Sequence, residues 1–418
     1  MTSIPDLLTQ TRQQLLAVAL QRGLTVRPHL QHDELTAEII KDMLEKGEGV
    51  TTDGILTLLP EGFGFVRMLS RNYASTVVDA YVSANQIRSL NLQFGQRIRG
   101  SIRAPRGTEQ AFALIHVDFV MDHSPDELLQ VVSFSSRTKA LSSRPITFCA
   151  PIKAADMQTS ACSDEANLAA MQTLAPICFG NRVLLHTPAK WPSARFLSLA
   201  AKALDTHHPK SDVTVCLLDQ RPEDIAAAQT LLKESDASLV STEFAAPPER
   251  HVQVAEHALY QCMRQVEQGH DVILLIDSLT ALTRARSRST PPSGSWIQPG
   301  LNAKSIMIAK ELFASAQQFS EGGSLTVIAA VTNGAPGSID EAIQEELTPF
   351  TNSDVVVAKD CPEMNAQILP FDVVATRTRR EDHKQSQEQQ VQMEALRETL
   401  NTLPRDERAH RLHQFSAS

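Results

Sequence analysis

Asp277 closes a run of five apolar residues, Val272-Ile-Leu-Leu-Ile276, that follows Asp271. Such a run reads as a strand buried on both faces of a sheet. An acid at its carboxyl end lies where open α/β sheets bind ligands. In nucleotide hydrolases an aspartate there holds Mg²⁺ through its water shell. Before Ser278-Leu-Thr280 the same residue also reads as a helix N-cap, and the run alone does not choose.

A magnesium aspartate needs a phosphate loop as partner. That loop uses glycines so that backbone N–H groups can cradle phosphates, a lysine for the β/γ charge and a Ser/Thr for the metal. The strand, turn and helix pattern at 182–204 is the place for it, and it offers Thr187-Pro-Ala-Lys-Trp-Pro-Ser-Ala-Arg195. No glycine is present, and Pro192 removes a donor and fixes φ. By its pattern this is not a phosphate loop.

A third constellation is Phe63-Gly-Phe-Val-Arg67. Period 2 puts Phe63 and Phe65 on one face. They read either as a stacking platform for single-stranded bases, at roughly 1–3 kcal/mol per base, or as two core rings around a tight bend. Arg67, Arg71, Arg88, Arg97, Arg99, Arg103 and Arg106 give a local excess of cations that favours the first reading. The net charge of −9 and pI of about 5.8 argue against a nonspecific electrostatic grip on nucleic acid.

The rest of the chain must position these residues. Its 418 residues suggest two to three domains, and 42% hydrophobic content is enough for sizeable cores. Cys149, Cys162, Cys178, Cys216, Cys262 and Cys361 show no paired C-x-x-C spacing. Neither a metal site nor a disulfide framework is expected, and a reduced, cytoplasmic setting fits. No stretch has a signal-like or membrane-spanning pattern, so a soluble protein without a membrane partner is expected. Residues 1–48 read as a small helical unit, with helix-period stripes at Leu7–Ala19 and Leu35–Leu44. Residues 49–120 hold five short strands, a small barrel. Residues 121–176, Ser/Arg-rich from Ser133 to Ser143, read as a linker. Residues 177–376 alternate strands and helices, implying a parallel sheet. Residues 377–418 read as a charged tail with a solvated helix.

Several stretches resemble the bacterial transcription termination factor Rho family of hexameric RNA-dependent ATPases and translocases. They are Glu61–Arg67, Tyr81-Val-Ser-Ala-Asn-Gln-Ile-Arg88, Leu217–Glu223, Arg250-His-Val-Gln-Val-Ala-Glu256, Asp271–Thr280, Glu321–Ile328 and Asp340–Glu346. The resemblance runs nearly end to end. It implies a multidomain α+β protein: a small N-terminal helical unit, a five-stranded OB-like barrel, then a RecA-like α/β domain with a parallel sheet. It implies RNA on the barrel, with Phe63, Phe65, Arg67 and Tyr81 matching base-contacting positions and Glu109 another. Ala111 stands where the family usually has an aromatic. Where the family has Lys-Ala-Gly-Lys-Thr, this chain has Lys190-Trp-Pro-Ser-Ala194. Gln220 replaces the catalytic glutamate, and Leu369 lies near the adenine-stacking phenylalanine. Thr187, Lys190, Ser193, Ala194, Arg221 and Asp277 mark a vestigial nucleotide site. Arg379 resembles the arginine that reaches across the subunit interface. Serines in Pro292–Ser295 and at 338 stand where the family has pore lysines.

An amide cannot take a proton from attacking water, and losing one preorganised donor costs about 10²–10³ in rate. The resemblance therefore implies a Rho-like pseudoenzyme with Gln220, Asp277 and Arg379 as catalytic relics and no metal site. ATP and Mg²⁺ are implied by the resemblance alone, and the missing charges argue against their binding. The implied partners are single-stranded, pyrimidine-rich RNA and a homo-oligomeric or mixed ring with an authentic Rho, with the RNA polymerase complex beyond them. The rivals are an active terminator with an unorthodox nucleotide site, and a protein-interaction subunit whose RNA contacts are relics.

Overall fold

The computed structural model describes residues 2–27, 29–127, 131–149, 163–291, 296–358, 370–379, 387–404, 407–408 and 411–412. The chain divides into two compact units, Met1–Phe134 and Ser135–Ser418.

The first unit opens with β1 (Thr2–Ser3), α1 (Ile4–Leu8), α2 (Arg12–Gln21) and α3 (His32–Glu45). A capping box starts α2: the Gln14 N–H donates to the Thr11 hydroxyl and the Thr11 N–H to the Gln14 side chain. Gly23, at φ 77°, lets the chain turn out of it. The barrel is β2 (Val50–Leu58), β3 (Gly64–Arg67), β4 (Ala80–Val82), α4 (Ala84–Ser89), β5 (Arg97–Arg103) and β6 (Phe112–Val120). Its strand order is β2-β3-β4-β6-β5, and β5 pairs back onto β2 to close it, while β1 adds to β2 in parallel. Val66, Ala80, Val82, Ile98 and Phe112 point inward and share one core with Leu35, Ile39 and Ile40 of α3. Burying that stripe gives a short barrel a larger apolar interior than its own strands supply.

The second unit begins with β7 (Lys139–Ala140), α5 (Ser163–Leu174), β8 (Arg182–Thr187), α6 (Ser193–His207), β9 (Asp212–Gln220), α7 (Pro222–Leu231), β10 (Ser238–Glu243) and α8 (Pro248–Glu267). Then come β11 (Asp271–Asp277), α9 (Leu279–Ser289), the hairpin β12 (Trp296–Gln298) and β13 (Leu301–Asn302), α10 (Ser305–Ala314), β14 (Gln317–Phe319) and β15 (Ser324–Thr332). It ends with α11 (Ile339–Leu347), β16 (Ser353–Val356), β17 (Arg377–Thr378) and α12 (Gln387–Thr402). The main sheet runs β10-β9-β11-β15-β8-β16-β17, parallel as far as β16. Val272 to Ile276 are completely buried at its centre. Lateral pairing to β9 and β15 and helices on the faces leave these residues no route to water.

Two segments differ from expectation. The linker expected over 121–176 contributes Ile146 and Phe148, and from α5 Leu168, Met171 and Leu174, to the main core. Its polar residues act as anchors. Arg137 donates to the carbonyls of Glu267 and Gly322 at 2.6 and 2.7 Å, and Arg144 grips Asp271 with two bonds of 2.5 and 2.7 Å. The helix expected to be solvated, α12, buries Met393, Leu396 and Leu400 in the same core. Its Arg397 donates to the Leu174 carbonyl at 2.8 Å. Among the described residues, no helix is long and apolar enough to cross a membrane.

Candidate functional site

Gly64 decides how the barrel presents its rings. A Cβ at this position would overlap the Thr57 carbonyl oxygen on β2, so only glycine lets the two strands approach here. Val66 then points inward and Phe65 outward. The antiparallel register sets Phe65 opposite Tyr81, which brings a third ring onto the face. The ring centroids of Phe63, Phe65 and Tyr81 lie 5.5–6.0 Å apart, and none of the pairs is stacked face to face. All three rings are half-buried, so each leaves π-surface open to a ligand. The sheet continues the row through Ala113 to Arg103.

Glu109 holds that arginine by a fork of 2.5 and 2.8 Å and also accepts the Arg106 N–H at 2.9 Å. The Arg103 bonds, then the Arg106 N–H, hold the Glu109 carboxyl down to about 2. It is therefore a fixed acceptor at neutral pH. Arg67, expected among the cations of this face, is only 7% exposed. Its Nε lies 3.8 Å from Asp79, and it donates to the Tyr73 carbonyl at 3.4 Å. Arg103 is among the cations expected of this face, and its place at the end of the ring row follows from strand register. Phe63, Phe65 and Tyr81 converge, with Arg103 and Glu109 at the end of their row; Arg67 sits on the same strand but beneath the surface.

In the second unit Asp277 ends β11 and is 5% exposed. The helix N-cap is Ser278, whose hydroxyl accepts the Ala281 N–H at 3.0 Å, so the cap reading of Asp277 does not hold. A cleft of about 700 Å³ opens beside it, lined by residues 187–195, Leu218–Arg221, Asp277 and Arg284 among others. The Ser193 hydroxyl donates to Asp277 Oδ2 at 2.7 Å, and the Gln220 amide donates to the same oxygen at 3.3 Å. Burial pushes the Asp277 carboxyl up to about 6; the Ser193 bond offsets part of that, Asp224 adds to it, and the Gln220 bond offsets a little more. Trp191 is buried against Phe196, with ring centroids 5.2 Å apart. The Ser193 N–H is turned back onto the Trp191 carbonyl at 2.8 Å. Thr187 is buried and donates its hydroxyl to the Val331 carbonyl at 3.2 Å. Ala194 is buried, and Lys190 is exposed. Arg221 forms a fork to Asp224 with two bonds of 2.8 Å. The cleft thus gathers Thr187, Lys190, Ser193, Ala194, Gln220, Arg221 and Asp277.

The cleft carries both signs of charge, with Lys190, Arg195, Arg221 and Arg284 beside Asp219, Asp224 and Asp277. Ser193 and Gln220 both bond Oδ2 of Asp277, and Asp219 and Asp224 also line the cleft. The loop around Pro192 has no glycine cradle. Among the described residues no cluster of three or more His, Cys, Asp or Glu could hold a metal.

Residues 52–126, which hold nearly all of the barrel, match the sequence model of the "Rho termination factor, RNA-binding domain". Nearly all of the chain aligns with relatives over most of their length. It is 32% identical over 388 residues to transcription termination factor Rho of Haemophilus influenzae, covering 93% of this chain and 89% of that protein. The factor of Neisseria gonorrhoeae is 31% identical over 405 residues, 97% of this chain and 93% of that protein. The chain belongs to the Rho family.

Solved structures that resemble this Rho-family chain include the ATP synthase subunit NeqB from Nanoarcheaum equitans. It has a TM-score of 0.52 at 13% identity, covering 72% of this chain and 66% of that one. An ATPase of a bacterial type III secretion system gives 0.51 at 15% identity, covering 72% and 78%. They establish a RecA-like fold and nothing of its chemistry. Two further Rho-family positions have local duties in this chain. Arg379 donates to the carbonyls of Thr348 and Pro349 at 3.3 and 2.8 Å. The Ser338 hydroxyl accepts the Glu341 N–H at 3.2 Å and caps α11. Leu369 and Pro292–Ser295 lie outside the described residues.

Proposed function

We propose that this Rho-family chain binds single-stranded, pyrimidine-rich RNA on the barrel and modulates transcription termination without hydrolysing ATP. Phe63, Phe65 and Tyr81 supply the stacking surface, and the Arg103–Glu109 fork supplies polar contacts to a base edge or backbone. The observation that carries the second half is the pair of hydrogen bonds from Ser193 and Gln220 to Asp277. In a working site of this type the carboxylate faces metal-bound water, and a neighbouring acid activates the attacking water. Here the neighbour is an amide donor, which cannot take a proton from water, and both it and Ser193 bond Oδ2 of the carboxylate. Asp277 and Gln220 are then structural, and Arg379 serves as a local cap.

On this reading the chain acts by competing for RNA or by joining a ring, either of its own copies or with an authentic Rho, in the vicinity of RNA polymerase. Its setting is cytoplasmic. The domain bounds we assign are 1–48, 49–120, 121–176, 177–376 and 377–418. Two measurements test the proposal. ATP binding by calorimetry and ATP hydrolysis, with and without polycytidine, should both stay at background. RNA-stimulated turnover abolished by Asp277→Asn would replace this reading with an active terminator. Co-purification with an authentic Rho that persists after RNase and after loss of the rings would favour an interaction subunit instead.

A further inference from the structure

The row of Phe65, Tyr81, Ala113 and Arg103 ends on β5, but the outward face of β5 continues past it. Ile98 and Ile102 point into the core, so Arg99, Ser101 and Arg103 face out by alternation. On β6 the partners of these three residues are Phe119, His116 and Ala113. Every third residue would fall on alternate faces of a regular strand. Two bulges prevent this: Asp118 and Ile115 are the extra residues, at the register shifts between Arg99 and Gly100 and between Ser101 and Ile102. Bulges re-aim side chains and are over-represented beside functional sites. Here they bring Phe119 onto the face that carries the rings.

Phe119 is 42% exposed, and the Arg99 guanidinium lies 5.7 Å from its ring centroid. Asp53 and Asp122 hold that arginine at 3.2 and 3.4 Å, and they bind Arg97 as well, at 2.8 and 3.4 Å. The two arginines and two aspartates cancel in charge, so this end of the face exerts no net pull on phosphate. It offers a planar cation and a ring fixed side by side, a surface suited to a base. The three rings account for about three bases, fewer than the roughly 4–16 nucleotides that a barrel of this kind covers. Arg99 lies four residues along β5 from Arg103, about 13 Å at strand rise, within reach of a strand that leaves the row.

We propose that Phe119 and Arg99 form a further base-stacking subsite, which holds a nucleotide of the same single strand beyond the Arg103–Glu109 fork. The inference rests on the RNA-face reading above. Ser101 and His116 lie between the fork and this subsite, with His116 exposed, and supply polar contacts to the connecting sugar and phosphate. Because the patch is neutral, its contribution comes from stacking, and the salt dependence of binding is set by the other contacts. The subsite accepts any base, since every base has a π-face.

The experiment is affinity of the full-length chain for oligocytidine of three and of nine nucleotides, each over a series of salt concentrations. Wild type should gain affinity on lengthening. In Phe119→Leu, which keeps apolar bulk but has no π-face, that gain should be about five- to 150-fold smaller. Phe119→Tyr should restore it to within about twofold, and circular dichroism checks that each variant is folded. A packing role alone would lower the unfolding midpoint of Phe119→Leu and leave the length gain intact. The same gain in wild type and Phe119→Leu would overturn the inference and spare the RNA face. So would a lost gain accompanied by a shallower salt slope, which marks a phosphate contact in place of stacking. Absence of binding of either oligomer to the wild type would overturn the RNA-face reading and this inference with it.

Discussion

Replacing Phe63 and Phe65 together by alanine tests the ring face directly. Both rings lie on the outer side of the barrel, half-buried, and touch Tyr81 at centroid distances of 5.5 and 5.9 Å. Stacking contributes about 1–3 kcal/mol per base. If each ring serves one base, the double variant loses about 2–6 kcal/mol of binding, roughly a 30- to 20,000-fold weaker Kd. The fold should survive, because the inward residues Val66, Ala80 and Val82 are untouched. Loss of the edge-on ring contacts costs about 0.5–1.5 kcal/mol per pair, a drop of several degrees in Tm. Filter binding to a polypyrimidine oligomer at one stated salt concentration, beside a thermal melt, separates the two effects. An affinity within twofold of wild type together with a lowered Tm would show that the rings are packing residues and refute the stacking argument.

Other outcomes follow from the second unit. The Asp277 carboxyl titrates near 6 when folded and near 4 when unfolded. Between these values the native state holds more protons, so stability falls as pH rises through that window and stays lowered above it. Asp277→Asn should therefore be more stable than wild type by about 1–3 kcal/mol at pH 7.5 and no different at pH 4 in urea unfolding. Equal stability at both pH values would contradict the buried-carboxylate reading. Trp191→Ala removes a side chain packed on Phe196 and should cost about 3–5 kcal/mol by chemical denaturation; a change under 1 kcal/mol would mean the loop is not part of the core.

Much of this could be read along the chain, for reasons that differ by segment. The run ending at Asp277 announced a central strand because both of its faces are covered, so no polar alternation interrupts it. Phe63 and Phe65 announced a shared face because period 2 is a local property. Local pattern does not put Tyr81 beside Phe65 or Arg103 at the end of their row, because each is set by pairing with a strand many residues away. The segment at 131–149 read as a linker since its anchors are Ser, Arg and Thr, residue types that disordered chains also favour. Its grip comes from carbonyls at Glu267 and Gly322 and from Asp271, which no local pattern could name. In α12 the buried residues Met393, Leu396 and Leu400 follow helical spacing, but charged and amide neighbours masked the stripe. The loop at 187–195 is informative in the opposite sense: its missing glycines are a negative signal, and the bonds to Asp277 form only once β9, β11, β15 and β8 lie in order in one sheet.

Gly64 touches no ligand on this reading, yet any side chain there would force β3 away from β2 at the Thr57 carbonyl. A saturation scan of this barrel scored on RNA capture alone would rank position 64 with the rings themselves. Scored on yield or melting temperature, the same position would stand apart from Phe63 and Phe65, because its substitutions disturb the backbone that carries them. The contrast between the two scores distinguishes residues that meet the strand from the residue that lets them be presented.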